Sequence, residues 1–301
     1  MDLYTLAEDA PEHDGHGEDG PVLLYHFEGF VDAGGAGRLA VGHLLAELEH
    51  RTVATFDVDR LLDYRSRRPV MTFDTDRWVS VDTPELAVYA AEDATGTPFL
   101  VLSGPEPDRE WERFTEAVGE LADRFGVSRM ITVHGIPMAV PHTRPLGVTA
   151  HASRPELINS QVSAFGRVQV PGSVAALIEF RLGAKGHDAL GYAVHVPHYL
   201  SQAEYPQAAV AALEAVTKST GLVFPMESLR TAAERTNEEI EEQIQASTEL
   251  STAISGLEQQ YDAFAEGAER ESLLAESTPM PTGDELAAQF ERFLAERDDR
   301  E

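Results

Sequence analysis

The sequence predicts an α/β protein with a three-layer α/β/α core and a helical segment added at the C-terminal side. Three observations lead to this prediction. Short apolar runs alternate with longer amphipathic runs, a glycine-rich turn follows the first apolar run, and the strand signals end before Pro225. Strands that alternate with helices typically build a mostly parallel sheet covered on both faces. We therefore expect a flexible acidic lead-in over 1–20, an α/β/α core over 21–225 and an acidic helical appendage over 226–301.

The strands and helices of the predicted core follow from the periodicity of apolar residues. Apolar or alternating runs predict seven strands, at Val22–Phe27, Val53–Val58, Trp78–Val81, Leu86–Ala90, Phe99–Leu102, Met130–Val133 and Leu190–Val196. Helical spacing predicts four helices between them, at Gly37–Glu49, Asp108–Phe125, Gly172–Lys185 and Pro206–Thr220. Two of the strands flank the turn-like residues Asp82–Glu85, which predicts a hairpin over Arg77–Glu92 and hence a mixed sheet.

The predicted appendage has no strand signal and carries a narrow apolar seam. The seam residues recur at steps of four and three, as in a helical hairpin or coiled coil, and are Leu250, Ile254, Leu257, Tyr261 and Phe264. Burying one such side chain contributes about 1.5 to 3 kcal/mol, so we expect the seam to pack on the chain's own core or on another subunit. A capping box at Thr282–Glu285 predicts a last helix carrying Leu286, Phe290, Phe293 and Leu294.

Composition narrows the function classes. The chain has 52 acidic and 23 basic residues, a net charge of −29, so it repels nucleic acid and anionic lipid. The excess either serves solubility or complements a basic protein partner. No apolar run reaches the roughly 18 residues that span a bilayer, and the absence of cysteine removes disulfides and thiolate nucleophiles. We expect a cytoplasmic protein without cofactor or metal.

The first candidate site is the glycine turn over Gly29–Gly37, between the first strand and the first helix. Its candidate residues are Gly29, Asp32, Gly34 and Gly35. Ligands of open parallel sheets bind beyond the carboxyl ends of strands, and a helix N-terminus attracts anions. The turn lacks the spacing of a dinucleotide-binding fingerprint. Asp32 is therefore either a ligand-binding carboxylate or a cap of the following helix.

Other polar residues follow later strands. Glu106 lies in a proline-rich turn, where it is either a functional carboxylate or part of the turn. A loop stiffened by three prolines follows His134 and carries His142, Thr143 and Arg144, which could donate to an anion or pair with acidic neighbours. His198 ends the last strand, three residues after His195, a spacing that points two strand residues to opposite faces and argues against a metal pair. An enzyme here would use Asp32 with His142 or His134 as acid and base, although no catalytic residue can be assigned.

Four loop motifs together resemble the actinobacterial branch of the proteasome assembly chaperone two family. They are the glycine turn, Ser103–Pro107, Gly135–Pro145 and Val170–Gly172, and the resemblance covers about residues 20–222. It implies a core similar to nucleoside phosphorylases, self-association, and chaperone-like binding of proteasome subunits as in eukaryotic and archaeal relatives. The chain departs from the family at Phe30–Val31, where members usually carry Trp-Asn, and at its terminal Arg297–Glu301, where ring-docking members have a hydrophobic-tyrosine tail.

Two hypotheses follow. The first is a non-catalytic interaction or assembly-chaperone-like protein, a homo-oligomer with a protein partner that is either a proteasome subunit or another protein. The alternative is a small-molecule-binding enzyme or hydrolase of nucleoside phosphorylase-like shape, which requires the glycine turn, His142 and Arg144 to converge on one concave site.

Overall fold

The computed structural model of the chain describes residues 3–11, 20–158 and 166–273, with side chains described up to residue 265. Its strands are β1 (Tyr4–Leu6), β2 (Val22–Glu28), β3 (His50–Phe56), β4 (Met71–Asp74), β5 (Arg77–Val81), β6 (Ala87–Glu92), β7 (Pro98–Pro105), β8 (Arg129–Met138), β9 (Val148–Ala152) and β10 (Ala189–Pro197). Its helices are α1 (Ala36–Glu47), α2 (Val58–Leu61), α3 (Trp111–Arg124), α4 (Val174–Ala184), α5 (Pro206–Thr220), α6 (Glu227–Gln245) and α7 (Thr248–Leu273). The predicted last helix, with Leu286, Phe290, Phe293 and Leu294, lies outside the described residues.

Eight strands form one mixed sheet in the order β1-β3-β6-β7-β2-β8-β10-β9. The four strands β7, β2, β8 and β10 run parallel, and the strands outside them pair antiparallel. The chain leaves β2 through α1 toward β3 on one side, and α3 carries it from β7 across to β8 on the other. The strand order therefore reverses at β2, which places the end of β2 where open α/β sheets bind ligands.

Two helical layers cover the sheet, because side chains alternate between its faces. On β2, Leu24 packs into the core shared by α1 and α5, whereas Leu23 and Tyr25 pack into the core shared by α3 and α4. The three-layer α/β/α fold predicted from the sequence is confirmed.

The hairpin predicted over Arg77–Glu92 is wrong. β5 pairs instead with β4, in a separate two-stranded sheet, and β6 enters the main sheet between β3 and β7. A tight turn at Thr75, which has a positive φ of 55°, closes the β4–β5 hairpin. Because this local pairing takes up β5, Asp82–Glu85 becomes an extended connection rather than a turn.

Three strands have no counterpart in the predicted set: β4, described above, and one strand at each edge of the main sheet. Tyr4–Leu6, assigned by sequence to the lead-in, forms edge strand β1, and Leu3 beside it is buried. The expectation that the core begins at residue 21 is corrected accordingly. β9 pairs antiparallel with β10 at the opposite edge. Both strands are short, and their apolar content alone gave no signal.

The C-terminal helices are attached to the core at two places. α6 packs against α5, and its Leu229 and Ala233 are buried in the α1–α5 core. α7 meets the loop after β8: the Arg144 guanidinium donates two hydrogen bonds of 2.8 Å to Asp262, and the Thr143 hydroxyl donates one of 2.6 Å to Glu258. No helix in the described ranges is long and apolar enough to cross a bilayer.

Asp93 locks the β6–β7 turn to the segment after α5. Its carboxylate accepts hydrogen bonds from the backbone amides of Thr95, Thr97 and Val223 and from the Thr95 hydroxyl, at 2.8 Å each. Burial of the carboxyl opposes ionisation, but these donors outweigh it and lower the pKa of Asp93 to about 2. A carboxylate whose pKa is lower in the folded chain than in the unfolded chain stabilises the fold above the unfolded pKa.

Asp93→Asn should therefore lower the free energy of unfolding by about 1 to 3 kcal/mol at pH 7, because an amide cannot accept all four hydrogen bonds. The difference from the wild type should narrow as the pH falls below about 4, because the unfolded chain then binds a proton at Asp93 while the folded chain keeps this carboxylate ionised until about pH 2. Urea denaturation at pH 7 and pH 3.5 measures both quantities. Asp82→Asn, at an exposed position, is the matched control, and an equal loss in the two variants at pH 7 would contradict the assigned role.

The attachment of α7 should depend on Arg144. Arg144→Gln keeps a polar side chain but removes the paired charge, so backbone amides of residues 248–265 should exchange with solvent at least about five times faster. Hydrogen exchange read by mass spectrometry measures this, and salt should reproduce part of the effect in the wild type. Arg235→Gln, which removes an exposed arginine from α6, serves as the control. Unchanged exchange in Arg144→Gln would show that the ion pairs do not hold the helix.

Candidate functional site

The glycine turn predicted from the sequence closes the carboxyl end of β2. Gly34 and Gly35 have positive φ values of 66° and 64°, which favour glycine. Space is limited as well: a Cβ atom on Gly34 would lie 3.0 Å from Cβ of Tyr205. The turn therefore packs directly against the end of β10 and the start of α5.

Asp32 connects this turn to two neighbouring segments. Its Oδ1 accepts hydrogen bonds of 2.9 Å from the backbone amides of Gly37 and Gly135, and its Oδ2 accepts one of 3.0 Å from the amide of Arg38. The carboxylate thus binds the first turn of α1 and crosses to β8. The sequence left two roles open for Asp32, ligand binding and capping of the following helix. These hydrogen bonds are those of a helix cap.

His26 lies behind Asp32 and is 4% exposed. Its Nδ1 is 3.1 Å from the carbonyl oxygen of Val133, which can only accept, so Nδ1 carries the hydrogen. Nε2 has no hydrogen-bond partner among the described residues and lies 3.5 Å from Oδ2 of Asp32. Sequence reasoning missed His26, although a single histidine within the apolar run of β2 was a signal.

A cleft of about 520 Å³ opens at this point of the sheet. Its walls come from the end of β2, the glycine turn, the end of β8 and the segment between β10 and α5. Its lining includes the side chains of His26, Glu28, Phe30, Asp32, Arg38 and Glu204. Residues 201–204 gave no sequence signal, because they reach the cleft only through the fold of the β10–α5 connection.

Glu106 has a structural role on the other face of the sheet. It is buried, and its Oε1 accepts a 2.8 Å hydrogen bond from the amide of Val174, the first residue of α4. The carboxylate therefore satisfies an amide at the start of that helix.

His134 belongs to a third group of polar residues. Its ring centre is 6.2 Å from that of His151, whose Nδ1 lies 2.8 Å from a carboxylate oxygen of Glu179 on α4. Burial and the neighbouring His151 lower the pKa of His134 to about 4, partly offset by Asp32. His134 is therefore neutral near pH 7.

The loop after β8 is directed to α7 and to the end of β10. His142 contacts Tyr199, with Nδ1 2.8 Å from the tyrosine hydroxyl, and burial lowers the pKa of His142. Thr143 and Arg144 bind α7 as described above, so the expected pairing of Arg144 with acidic neighbours is what the structure contains. None of the three residues lines the cleft.

His198 and His195 are directed to different partners. His198 is exposed and packs edge to face against Tyr199, whereas Nε2 of His195 is 2.8 Å from the Thr149 hydroxyl. Within the described ranges, no group of three or more His, Asp or Glu residues is arranged to hold a metal ion.

The candidate residues thus fall in separate places. Asp32 and the turn glycines Gly29 and Gly35 line the cleft, while His134 and His142, its proposed acid-base partners, do not. The convergence required by the enzyme alternative is not observed.

Sequence and structure comparisons place the chain among known proteins. No curated protein matches it significantly. A Mycobacterium tuberculosis protein of unknown function, Rv2714, is 49% identical, with a TM-score of 0.84 over 90% of this chain and 92% of that one. A Corynebacterium glutamicum protein of unknown function is 40% identical, with a TM-score of 0.82 over 88% and 98%.

A third structure carries a functional description. The Mycobacterium tuberculosis proteasome-assembly chaperone homologue Rv2125 is 25% identical, with a TM-score of 0.71 over 77% of this chain and 99% of that one. The PAC2 family model matches residues 26–244, most of the chain, from the end of β2 through the glycine turn to the last turn of α6. The chain therefore belongs to the PAC2 family, as its four loop motifs predicted.

Proposed function

We propose that this protein is a non-catalytic interaction protein that assists the assembly of a protein complex, with proteasome subunits as the first partners to test. Membership of the PAC2 family and similarity to a proteasome-assembly chaperone homologue support this proposal. Its expected cytoplasmic location and self-association are part of the proposal. The scattered positions of His134, His142 and Asp32 give the enzyme alternative no support.

The β4–β5 hairpin is the observation that carries the proposal. Every residue of both strands is exposed, and Trp78 remains 62% exposed while its ring packs edge to face on Phe73 at 5.1 Å. The large apolar side chains exposed on and beside the hairpin are Val70, Met71, Phe73, Trp78, Val79 and Val81. Contiguous exposed apolar surface of this kind marks protein interaction sites, and aromatic residues dominate binding energy in such sites.

The charge of the hairpin segment adds to this argument. Residues 65–81 contain four arginines and two aspartates, so this segment is positive in a chain of net charge −29. The apolar side chains of the two strands, with three arginines before β4, fit a partner surface that is apolar at its centre and acidic at its rim. The remaining acidic surface keeps that partner from binding elsewhere by charge alone.

The appendage is a second proposed partner surface. Of its seam, Leu250 and Phe264 are exposed, whereas Ile254, Leu257 and Tyr261 are partly buried. The Tyr261 hydroxyl donates a 3.0 Å hydrogen bond to the carbonyl of Pro145. The inner part of the seam is thus partly covered within the chain, and its two outer residues are left for another subunit or a partner.

The combined substitution Phe73→Ser and Trp78→Ser tests the proposal. Purified proteasome α-subunits from the same organism should bind the wild type, and the double variant should bind at least about ten times more weakly, because two aromatic anchors are lost. Binding is measured by surface plasmon resonance and native mass spectrometry. The variant should keep its thermal unfolding temperature, since the hairpin lies outside the main sheet.

Phe180→Ser is the matched control, because Phe180 is an exposed aromatic residue on α4, outside the hairpin. Equal binding by the wild type and the double variant would remove the hairpin as the binding surface. Failure of the wild type to bind any proteasome subunit or assembly intermediate would overturn the proposed partner.

A further inference from the structure

The cleft at the end of β2 has a distinct chemical character that the proposed interaction surfaces do not use. Its lining includes two exposed apolar side chains, Phe30 and Val31, and also Pro137. Its polar wall carries the carboxylates of Glu28 and Glu204. The cleft therefore combines an apolar lip with acidic groups.

Most charges around the cleft are already paired, and one is not. Arg38 donates a 2.8 Å hydrogen bond to Glu204, and Arg67, behind Gly29, pairs with Asp108 at 3.0 Å. The side chain of Glu28 forms no hydrogen bond or ion pair with the residues that the structure describes. The lining thus has an excess of negative charge, and Glu28 is the carboxylate available to a ligand.

The floor of the cleft adds a second, independent observation. Nε2 of the buried His26 has no hydrogen-bond partner among the described residues and lies 3.5 Å from Oδ2 of Asp32. The lining holds three carboxylates, those of Glu28, Asp32 and Glu204, against one cationic side chain, that of Arg38. The amides at the start of α1 cannot attract an anion here, because Asp32 already occupies them. The potential at the floor favours positive charge.

We propose that this cleft binds an organic cation, an ammonium or guanidinium group on a short aliphatic stem. The cationic head binds Glu28 above the His26–Asp32 pair, and the stem lies along Phe30 and Val31, where the aromatic face adds cation–π attraction. The cation comes from the lysine or arginine side chain of a protein partner. The site itself goes beyond the proposed function, whereas this source of the cation rests on it.

The test uses the full chain and three small probes at pH 8, where histidine side chains are ordinarily neutral. The probes are N-acetyl-lysine methylamide, its uncharged analogue N-acetyl-norleucine methylamide, and pentylamine as a free amine. Ligand-observed NMR titration should detect binding of the lysine probe and at least about five times weaker binding of the norleucine probe. Raising the salt concentration from 50 to 500 mM should weaken binding of the lysine probe, because salt screens its attraction to the carboxylates.

Two variants locate the binding. Glu28→Gln should weaken binding of the lysine probe about five-fold, as expected for one partly exposed charge pair. Phe30→Ala should also weaken binding of this probe, because the contact with its aliphatic stem is lost. Glu92→Gln is the matched control, because it removes the same charge at the opposite end of the strands, where the end of β6 pairs with the start of β7. It should bind the probe as the wild type does.

The outcomes separate this inference from the proposed function. Equal binding of the lysine and norleucine probes would overturn the cation site. So would an equal loss of affinity for the lysine probe in Glu28→Gln and Glu92→Gln. Tighter binding of pentylamine than of the lysine probe would overturn a partner side chain as the source. The hairpin double variant should bind the lysine probe normally, so failure of the hairpin experiment leaves the cleft result intact.

Discussion

The carboxylate of Asp32 is the interaction on which the arrangement of the switch point depends. This one side chain accepts hydrogen bonds from backbone amides of both α1 and β8, two segments separated by about a hundred residues in sequence. Because β8 is also the parallel neighbour of β2, this carboxylate fixes the glycine turn between two strands that would otherwise be joined only by their ladder. The cleft takes its shape from that fixed turn, and the position of His26 relative to Asp32 follows from it.

Several of the polar residues that the sequence singles out have structural tasks in the described part of the chain. Glu106 completes the start of α4, Asp93 holds a turn, and Arg144 holds α7. Each group is satisfied by a partner that the fold supplies. Among the described residues, the β4–β5 hairpin leaves apolar surface exposed and the cleft carries an excess of negative charge, and both are properties of surfaces that meet other molecules.

The sequence predicts the architecture well where local pattern and tertiary structure agree. The boundaries of α5 match the predicted ones at Pro206 and Thr220, because proline begins the helix and the apolar period runs unbroken to its end. The pairing of β5 was mispredicted because two short alternating runs carry no information about which neighbour they choose. Within the candidate site, the glycine turn was predictable from its composition. The lining by residues 201–204 and the turning of Arg144 toward Asp262 were not, since both depend on contacts across more than a hundred residues.

The attachment of α7 has a mechanical consequence. A helix of 26 residues is about 39 Å long, at 1.5 Å per residue. It is joined to α6 at one end and bound to the loop after β8 near its middle, through Glu258, Tyr261 and Asp262. The part of the helix after Asp262 lies farther from the α6–α7 joint than these contacts do. Any rotation about that joint displaces the far end of the helix about twice as far as the ion pairs that restrain it.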